Sequence, residues 1–258
     1  MFVADRAKDA VMAMARIVDA EIPDGLAVDD PAATRSRRDL RRVHRAMATR
    51  SIVSRALRAA IVSTPAARPL RVLEIGAGDG SLLLGVARRL APAWPPVDLT
   101  LLDARPLVEC ETIESYGELG WKVVPTVRDV LDWAAAATDP LLPDSTTARW
   151  DLIVANLFLH HFEDADLAGL LAAIAARGDR LFACEPRRAW VALAGSHLLG
   201  ALGVNAVTRA DAVLSVHAGF TGGELSALWP SRSAEWRLDE YPAGLFSHCF
   251  RAERAAVI

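Results

Sequence analysis

Cysteine is scarce in this sequence of 258 residues, and no two cysteines stand close enough to form a structural metal site. The three cysteines, Cys110, Cys184 and Cys249, lie far apart and form no Cys-x-x-Cys pair. This spacing argues against a zinc site or a disulfide framework, and it predicts a reducing, cytoplasmic compartment. A chain of this length buries roughly three quarters of its unfolded surface, so it needs neither kind of crosslink to fold.

A large excess of charge is also missing. The 29 basic and 32 acidic residues give a net charge of −3, which removes the general electrostatic argument for a nucleic-acid-binding protein. The basic charge is unevenly placed, because residues 35–62 carry nine arginines against one acid, Asp39. Such a run is a solvated helix face, or else a surface for an acidic substrate or for weak peripheral contact with an anionic membrane.

We expect neither a secretory leader nor a membrane span in this sequence. Residues 1–20 mix charged and apolar side chains, so the uncharged apolar core of about 7–15 residues is missing. Residues 189–208 contain no charge, but they include three glycines together with serine, histidine and asparagine. A span needs about 20 mostly apolar residues. We therefore expect a buried or substrate-covering helix in this stretch.

Short apolar runs alternate with helical patterns from residue 70 onward. The predicted strands are 70–75, 98–102, 121–127, 150–155 and 180–184, and predicted helices include 81–90 and 164–177. This alternation predicts a parallel sheet that is covered on both faces. Two further alternating runs, 235–241 and 246–253, predict an antiparallel hairpin at a sheet edge. The expected fold is α/β, a doubly wound Rossmann-like sheet of seven strands.

The first 69 residues have a different pattern. Apolar residues at helical spacing predict helices over 6–20 and 35–62, and the proline and glycine between them predict a loop. We expect residues 1–69 to form a helical cap and residues 70–258 to form the α/β domain.

The strongest motif is Glu74-x-Gly76-x-Gly78-x-Gly80, which lies between a predicted strand and a predicted helix. Residues 76–80 are called the glycine loop below. Its spacing differs from the Gly-x-Gly-x-x-Gly of dinucleotide-binding proteins, and the Gly-Lys-[Ser/Thr] of a phosphate-binding P-loop is missing. The acids Glu74 and Asp79 favour a cationic ligand over a phosphate.

This motif resembles the first motif of class I S-adenosylmethionine-dependent methyltransferases. The resemblance implies that S-adenosyl-L-methionine is the cofactor and that Glu74 and the three glycines bind it. It also implies that Asp103, which closes the second strand, binds the ribose hydroxyls, and that Asp129 lies by the adenine. Asn156, at the end of the fourth strand, belongs to the same expected cofactor site.

Residues 156–162, Asn-Leu-Phe-Leu-His-His-Phe, resemble the Leu-His-His-Phe segment of small-molecule members of this class. The catalytic candidates are His160 and His161, because an imidazole with a pKa near neutrality can remove a proton from a phenol or from a methylated ring carbon. If the backbone there is extended, adjacent side chains point to opposite faces, so only one of them can face the acceptor. We choose His161 and expect His160 to pack or to cap a helix.

Residues 185–188 and 211–225 are similar to those of bacterial quinone-biosynthesis-like methyltransferases, some of them associated with phenolic polyketide pathways in secondary metabolism. Ala212 departs from the Asp-Gly of that group. The resemblance implies a small, apolar acceptor that is aromatic, such as a phenol or quinol, or lipid-tailed, methylated on oxygen or carbon.

Two other functions stay open. A macromolecular methyltransferase of the N-methylating type commonly carries [Asp/Asn]-Pro-Pro-[aromatic] after the fourth strand, where this chain has Asn156-Leu-Phe-Leu, and a cytosine C5 enzyme needs a Pro-Cys that is missing. The other function that stays open is that of a non-catalytic partner subunit that binds the cofactor. The intact glycine loop argues against it.

Overall fold

The computed structural model describes residues 14–19, 35, 39, 42–43, 45, 47–60, 68–142, 148–198, 206–230 and 235–255. The strands are β1 (Leu70–Ile75), β2 (Val97–Asp103), β3 (Trp121–Val127), β4 (Leu152–Asn156), β5 (Arg180–Pro186), β6 (Trp236–Ala243) and β7 (Ser247–Arg254). The helices are α1 (Thr49–Ala60), α2 (Ser81–Leu90), α3 (Cys110–Gly117), α4 (Val130–Ala135), α5 (Asp164–Arg177), α6 (Trp190–Leu198), α7 (Ala206–Ala218) and α8 (Glu224–Leu228). A short 3-10 helix covers Leu159–His161.

The strands form one seven-stranded sheet in the order β3-β2-β1-β4-β5-β7-β6. The first five strands are parallel, and β7 pairs antiparallel with both β5 and β6. The predicted doubly wound α/β sheet with an antiparallel hairpin at one edge is confirmed. The chain order reverses between β1 and β4, and such a reversal point is where open α/β sheets bind ligands.

Apolar clusters cover both faces of the sheet. On one face, the inward side chains of α2 pack over β1, β2 and β4, together with Val53 and Leu57 of α1. On the other face, α5 packs against β4, β5 and β7 with Trp133 and Phe220. The central strands β1 and β4 are thus covered from both sides, which explains why they appear in the sequence as largely apolar runs, whereas β3 at the sheet edge is mostly exposed.

Several element boundaries agree with the sequence pattern. β1, β3, α2 and α5 begin and end at the predicted residues. β4 starts two residues later than predicted, because Trp150 forms only an isolated bridge with Gly178.

The N-terminal helices differ from the prediction. The predicted helix over 6–20 is wrong for residues 14–19, which are not helical and whose side chains alternate between partly buried and exposed. The single helix predicted over 35–62 is interrupted at Met47 and Ala48, where Ala48 has a φ of 55° before α1 begins. The loop predicted over 21–34 lies outside the described residues.

The described residues 190–198 and 206–208 of the uncharged stretch 189–208 are helical but not fully buried, and the expectation that the stretch covers a substrate stays a prediction. α6 ends at Leu198, α7 begins at Ala206, and the residues between them lie outside the described part of the chain. Trp190 and Leu198 are 54% and 69% exposed, so α6 presents apolar side chains at the surface. In the part of the chain that the structure describes, no helix has both the length and the apolarity to span a bilayer.

Candidate active site

The expected site residues lie at the carboxyl ends of the parallel strands. The glycine loop follows β1, Asp103 ends β2, Asp129 follows β3, and Asn156 ends β4. Because Ile75 is in register with Leu102 on one side and with Ala155 on the other, these ends meet at one edge of the sheet. The second half of the site, residues 158–162, follows β4 and is called the histidine turn below.

The glycine loop depends on left-handed backbone at each of its glycines. Gly76, Gly78 and Gly80 have φ of 65°, 57° and 71°, which residues with a Cβ rarely adopt. The loop is held from beneath, since the buried Tyr116 hydroxyl donates to the Gly80 carbonyl at 2.9 Å. Asp79 accepts from the Ser81 N–H at 3.0 Å and so supports the start of α2.

The three glycines differ in the space that a Cβ atom would have. A Cβ at Gly76 would come 2.1 Å from the Phe158 ring, and one at Gly80 would come 3.0 Å from Leu101. A Cβ at Gly78 would meet nothing within 4 Å. Gly78 is therefore the position where the backbone borders open space, while Gly76 is needed because Phe158 of the histidine turn packs directly on it.

Asp103 is tied to the glycine loop. Its Oδ2 accepts from the Gly78 N–H at 2.8 Å, and its Oδ1 accepts from the Arg105 N–H at 3.0 Å. The carboxylate is half-buried, and two backbone donors leave lone pairs free for a ligand. Asp129, in contrast, is exposed and caps α4 by accepting from the Leu131 N–H at 2.7 Å, and its expected adenine contact stays a prediction.

Glu74 and Asn156 form a buried pair beneath the glycine loop. The Asn156 Nδ2 donates to Glu74 Oε1 at 3.2 Å, while Glu74 Oε2 and Asn156 Oδ1 have no hydrogen-bond partner among the described residues. The pKa of Glu74 is raised to about 8: burial raises it most, the hydrogen bond from Asn156 lowers it, and nearby Asp79 and Asp103 raise it. A buried carboxyl and an unpartnered amide oxygen, next to two further acids, suit a ligand that brings positive charge and N–H donors.

The histidine turn is anchored by a fully buried acid on the neighbouring strand. Glu185 of β5 accepts from the backbone N–H groups of Phe158, Leu159 and His160 at 3.1 to 3.4 Å. It also bonds the Nδ1 of His160 at 2.8 Å. Glu185 thus neutralises the unpaired donors at the start of the 3-10 helix and fixes the ring of His160.

The two histidines have different surroundings. His160 is 3% exposed, whereas His161 is partly exposed beside Phe158, with 6.2 Å between ring centroids. Their own rings lie 4.3 Å apart. The expectation of alternating side chains rested on extended backbone, but Leu157 has a φ of 51° and turns the chain into the 3-10 helix. The difference between the histidines comes from Glu185, not from strand alternation.

Arg16 also contacts the histidine turn, although no sequence motif predicts this contact. Its guanidinium donates to the carbonyls of Phe162 at 2.8 Å and His160 at 3.4 Å. The sequence pattern placed Arg16 inside a helix, and no motif surrounds it. Glu185, by contrast, directly follows the predicted fifth strand, in the segment 185–188 that resembles other methyltransferases.

The reversal of strand order, the glycine loop bonded to Asp103, and the acids beneath the loop together define a class I S-adenosylmethionine-dependent methyltransferase. A family model described as a methyltransferase domain matches residues 39–247, and the chain belongs to that family. A search of curated proteins gives no match.

Solved structures, two of the following three described as methyltransferases, share the fold at low sequence identity. The plantazolicin methyltransferase BpumL, solved in complex with SAH, is 16% identical with a TM-score of 0.58, over 88% of this chain and 92% of that one. An O-methyltransferase family protein from Burkholderia thailandensis is 16% identical with a TM-score of 0.55, over 88% of this chain and 61% of that one. TnmH is 21% identical with a TM-score of 0.52, over 87% and 59% of the two chains.

Proposed function

We propose that this enzyme transfers the methyl group of S-adenosylmethionine to the hydroxyl of a small aromatic acceptor, a phenol or a quinol. The observation that carries the proposal is the position of Phe158. Its ring packs on Gly76 of the glycine loop and lies 6.2 Å from the ring of His161. The candidate base His161 is therefore separated from the glycine loop by the ring of Phe158, in a turn that also contains Phe162.

The residues that would hold the cofactor are the glycine loop, whose Gly78 borders open space, and the polar side chains around it. Asp103 offers carboxylate lone pairs for the two ribose hydroxyls, and Glu74 with Asn156 offers acceptors for an ammonium group. When bound, S-adenosylmethionine supplies an electrophilic methyl group on a positively charged sulfur. Asp129 is proposed to lie by the adenine, because it directly follows Arg128, whose N–H donates to the Asp103 carbonyl at 2.9 Å.

The chain's own contribution to the chemistry is proton removal. A phenol is a weak nucleophile until it loses its proton, and His161 is partly exposed and placed to accept that proton. The pair of Glu185 and His160 lies directly behind it and keeps the turn in one conformation. For a ring-carbon acceptor, the same histidine would remove the proton after methyl attack.

The acceptor class is tested with labelled S-adenosylmethionine and a panel of catechol, 4-methylumbelliferone, 2-methyl-1,4-naphthohydroquinone, total RNA and a mixed-protein extract. We expect label in one or more of the three small aromatic compounds, on oxygen by mass spectrometry. Label only in RNA or protein would replace the proposal with the macromolecular alternative. Binding of S-adenosylhomocysteine without transfer to any of them would favour the partner-subunit alternative.

The base is tested by His161→Ala. We expect kcat to fall about 10²- to 10⁴-fold, with little change in the affinity for S-adenosylhomocysteine. The rate should recover in part as the pH approaches about 10, where the phenol ionises without help. A loss of cofactor affinity, or a loss of rate that pH does not restore, would assign His161 a structural role.

We further propose that residues 1–69 act as a cap on the domain formed by residues 70–258. This is supported by Arg16, which bonds to the histidine turn, and by Val53 and Leu57, which lie in the core beside β1. Weak contact with anionic membranes is proposed for the arginine-rich residues 35–58, part of which form α1. Within the described part of the chain, Arg58 of α1 and its neighbour Arg89 of α2 donate to an uncharged carbonyl and an uncharged hydroxyl. A cytoplasmic location and a role in secondary metabolism stay predictions from the sequence.

A further inference from the structure

We propose that Arg16 is a positioning residue for the histidine turn, an inference that rests on the catalytic role proposed for that turn. Glu185 fixes the amino end of the turn, and Arg16 fixes its carboxyl end. The active conformation of His161 then depends on a residue more than 140 positions earlier in the chain.

The guanidinium of Arg16 lies where two helices end. It donates from Nη2 to the carbonyls of His160 and Phe162, and from Nε to the carbonyl of Ala218 at 2.9 Å. His160 lies in the 3-10 helix, and Ala218 is the last residue of α7. Carbonyls at helix ends have no partner within the helix and carry partial negative charge, so a cation there is favourable.

The same guanidinium makes two further contacts, one of them to an exposed acid. Its Nη1 bonds to Asp164 at 2.9 Å, and its central carbon lies 4.7 Å from the centroid of the Phe220 ring. The side chain is 14% exposed, although the neighbouring Ile17 is 51% exposed. A planar group with five donors can bind four acceptors from different elements at once, and a lysine cannot.

The segment that contains Arg16, residues 14–19, is held at two more points. The Ile17 N–H donates to the His217 carbonyl at 3.2 Å, and the Met14 carbonyl accepts from the buried Arg188 at 2.8 Å. Arg188 also binds the Gly219 carbonyl at 2.6 Å and pairs with Glu224. Arg188 therefore holds the same segment, through hydrogen bonds to Met14, Gly219 and Glu224.

The histidine turn is consequently clamped by charges of opposite sign that match its dipole. The Glu185 carboxylate accepts from its first N–H groups, and the Arg16 guanidinium donates to its last carbonyls. Within the histidine turn, loss of Arg16 frees the carboxyl end, which includes His161, and leaves the contacts of Glu185 at the amino end. The glycine loop and Asp103 do not touch Arg16, so cofactor binding should be spared.

The test compares Arg16→Gln with Arg16→Lys and with the control Asp164→Asn. Asp164 is 77% exposed, and its substitution removes the ion pair of Arg16 while leaving the carbonyl contacts. For the phenol of the panel with the highest turnover, we expect kcat of Arg16→Gln to fall about 10- to 100-fold, as for a displaced catalytic group. Arg16→Lys should fall less, Asp164→Asn should stay within about 2-fold of the wild type, and S-adenosylhomocysteine affinity should not change.

A second measurement needs no acceptor. Hydrogen exchange of the peptide that covers residues 157–163 should be faster in Arg16→Gln and unchanged in Asp164→Asn, while exchange at the glycine loop stays as in the wild type. Unchanged exchange at the histidine turn in Arg16→Gln would overturn the proposal. Faster exchange with an undiminished kcat would overturn it too. If the wild type transfers no methyl group to any phenol, the proposed function fails, but the exchange result still decides whether Arg16 holds the turn.

Discussion

Replacement of Asp103 tests the cofactor site most sharply, because this carboxylate joins the glycine loop to the expected position of the ribose. Asp103→Ala removes two acceptor oxygens from a half-buried place. We expect the hydrogen bonds of the ribose hydroxyls to this charged group to contribute about 1.5–3 kcal/mol to the free energy of cofactor binding. That range corresponds to a loss of about 12- to 160-fold in the affinity for S-adenosylhomocysteine.

The structure separates two effects of this substitution. Asp103 also accepts from the N–H groups of Gly78 and Arg105, so alanine leaves both donors without their partner and loosens the glycine loop even in the free enzyme. Asp103→Asn keeps an oxygen acceptor for one of these donors but loses the charge. We therefore expect Asp103→Asn to retain more thermal stability than Asp103→Ala, with an intermediate loss of affinity.

The assay is titration calorimetry with S-adenosylhomocysteine, with thermal melting of each free variant as the check on folding. Asp129→Ala is the matched control, because Asp129 is an exposed acid after the next strand and caps a short helix. Its effect on affinity should be the smaller of the two. Unchanged affinity in a folded Asp103→Ala would remove Asp103 from the cofactor site and would refute the reasoning.

Three further outcomes are expected. Gly78→Val should abolish measurable S-adenosylhomocysteine binding in calorimetry, because φ is 57° there and the side chain would fill the open space, and retained affinity would contradict this. Burial raises the pKa of Glu74 from 4.5 to about 8, so between these pH values the folded state keeps a proton that the unfolded state loses. The free energy of unfolding, measured with urea, should therefore fall as pH rises from 5 to 8, and more steeply than in Glu74→Gln. An equal pH dependence of unfolding in the wild type and Glu74→Gln would contradict this. Sedimentation with anionic vesicles should decrease as salt rises, because exposed charges are screened within about 10 Å at 0.1 M, and no binding at low salt would leave the arginines of α1 as a solvated face.

The sequence predicted those parts of the molecule in which local pattern and fold agree. β1 and β3 are bounded by turn or helix signals, and α5 is followed directly by Gly178, so their ends could be predicted to the residue. Asp103 could be placed because it closes a strand next to the glycine loop. The turn at Ala48 could not be predicted, because alanine favours a helix and gives no sequence signal for a φ of 55°.

The contacts around the histidine turn were hidden for a different reason. Arg16, Glu185 and His160 are 25 to 169 residues apart in the chain, and only the folded sheet brings them together. Arg16 stands in a segment whose apolar spacing resembles a helix, whereas residues 14–19 are not helical and Arg16 and Ile17 donate to carbonyls at the end of α7. Spacing within one segment carries no information on such partners.

The most direct measurement is single-turnover transfer of a labelled methyl group to the best phenol of the panel, by the wild type, Asp103→Ala and His161→Ala. If Asp103 holds the cofactor and His161 removes the proton, Asp103→Ala should recover at saturating S-adenosylmethionine. His161→Ala should stay slow at that concentration and recover only as the pH approaches about 10. Equal recovery of both variants with cofactor, or no transfer by the wild type to any of the three aromatic compounds, would contradict a phenol methyltransferase with His161 as its base.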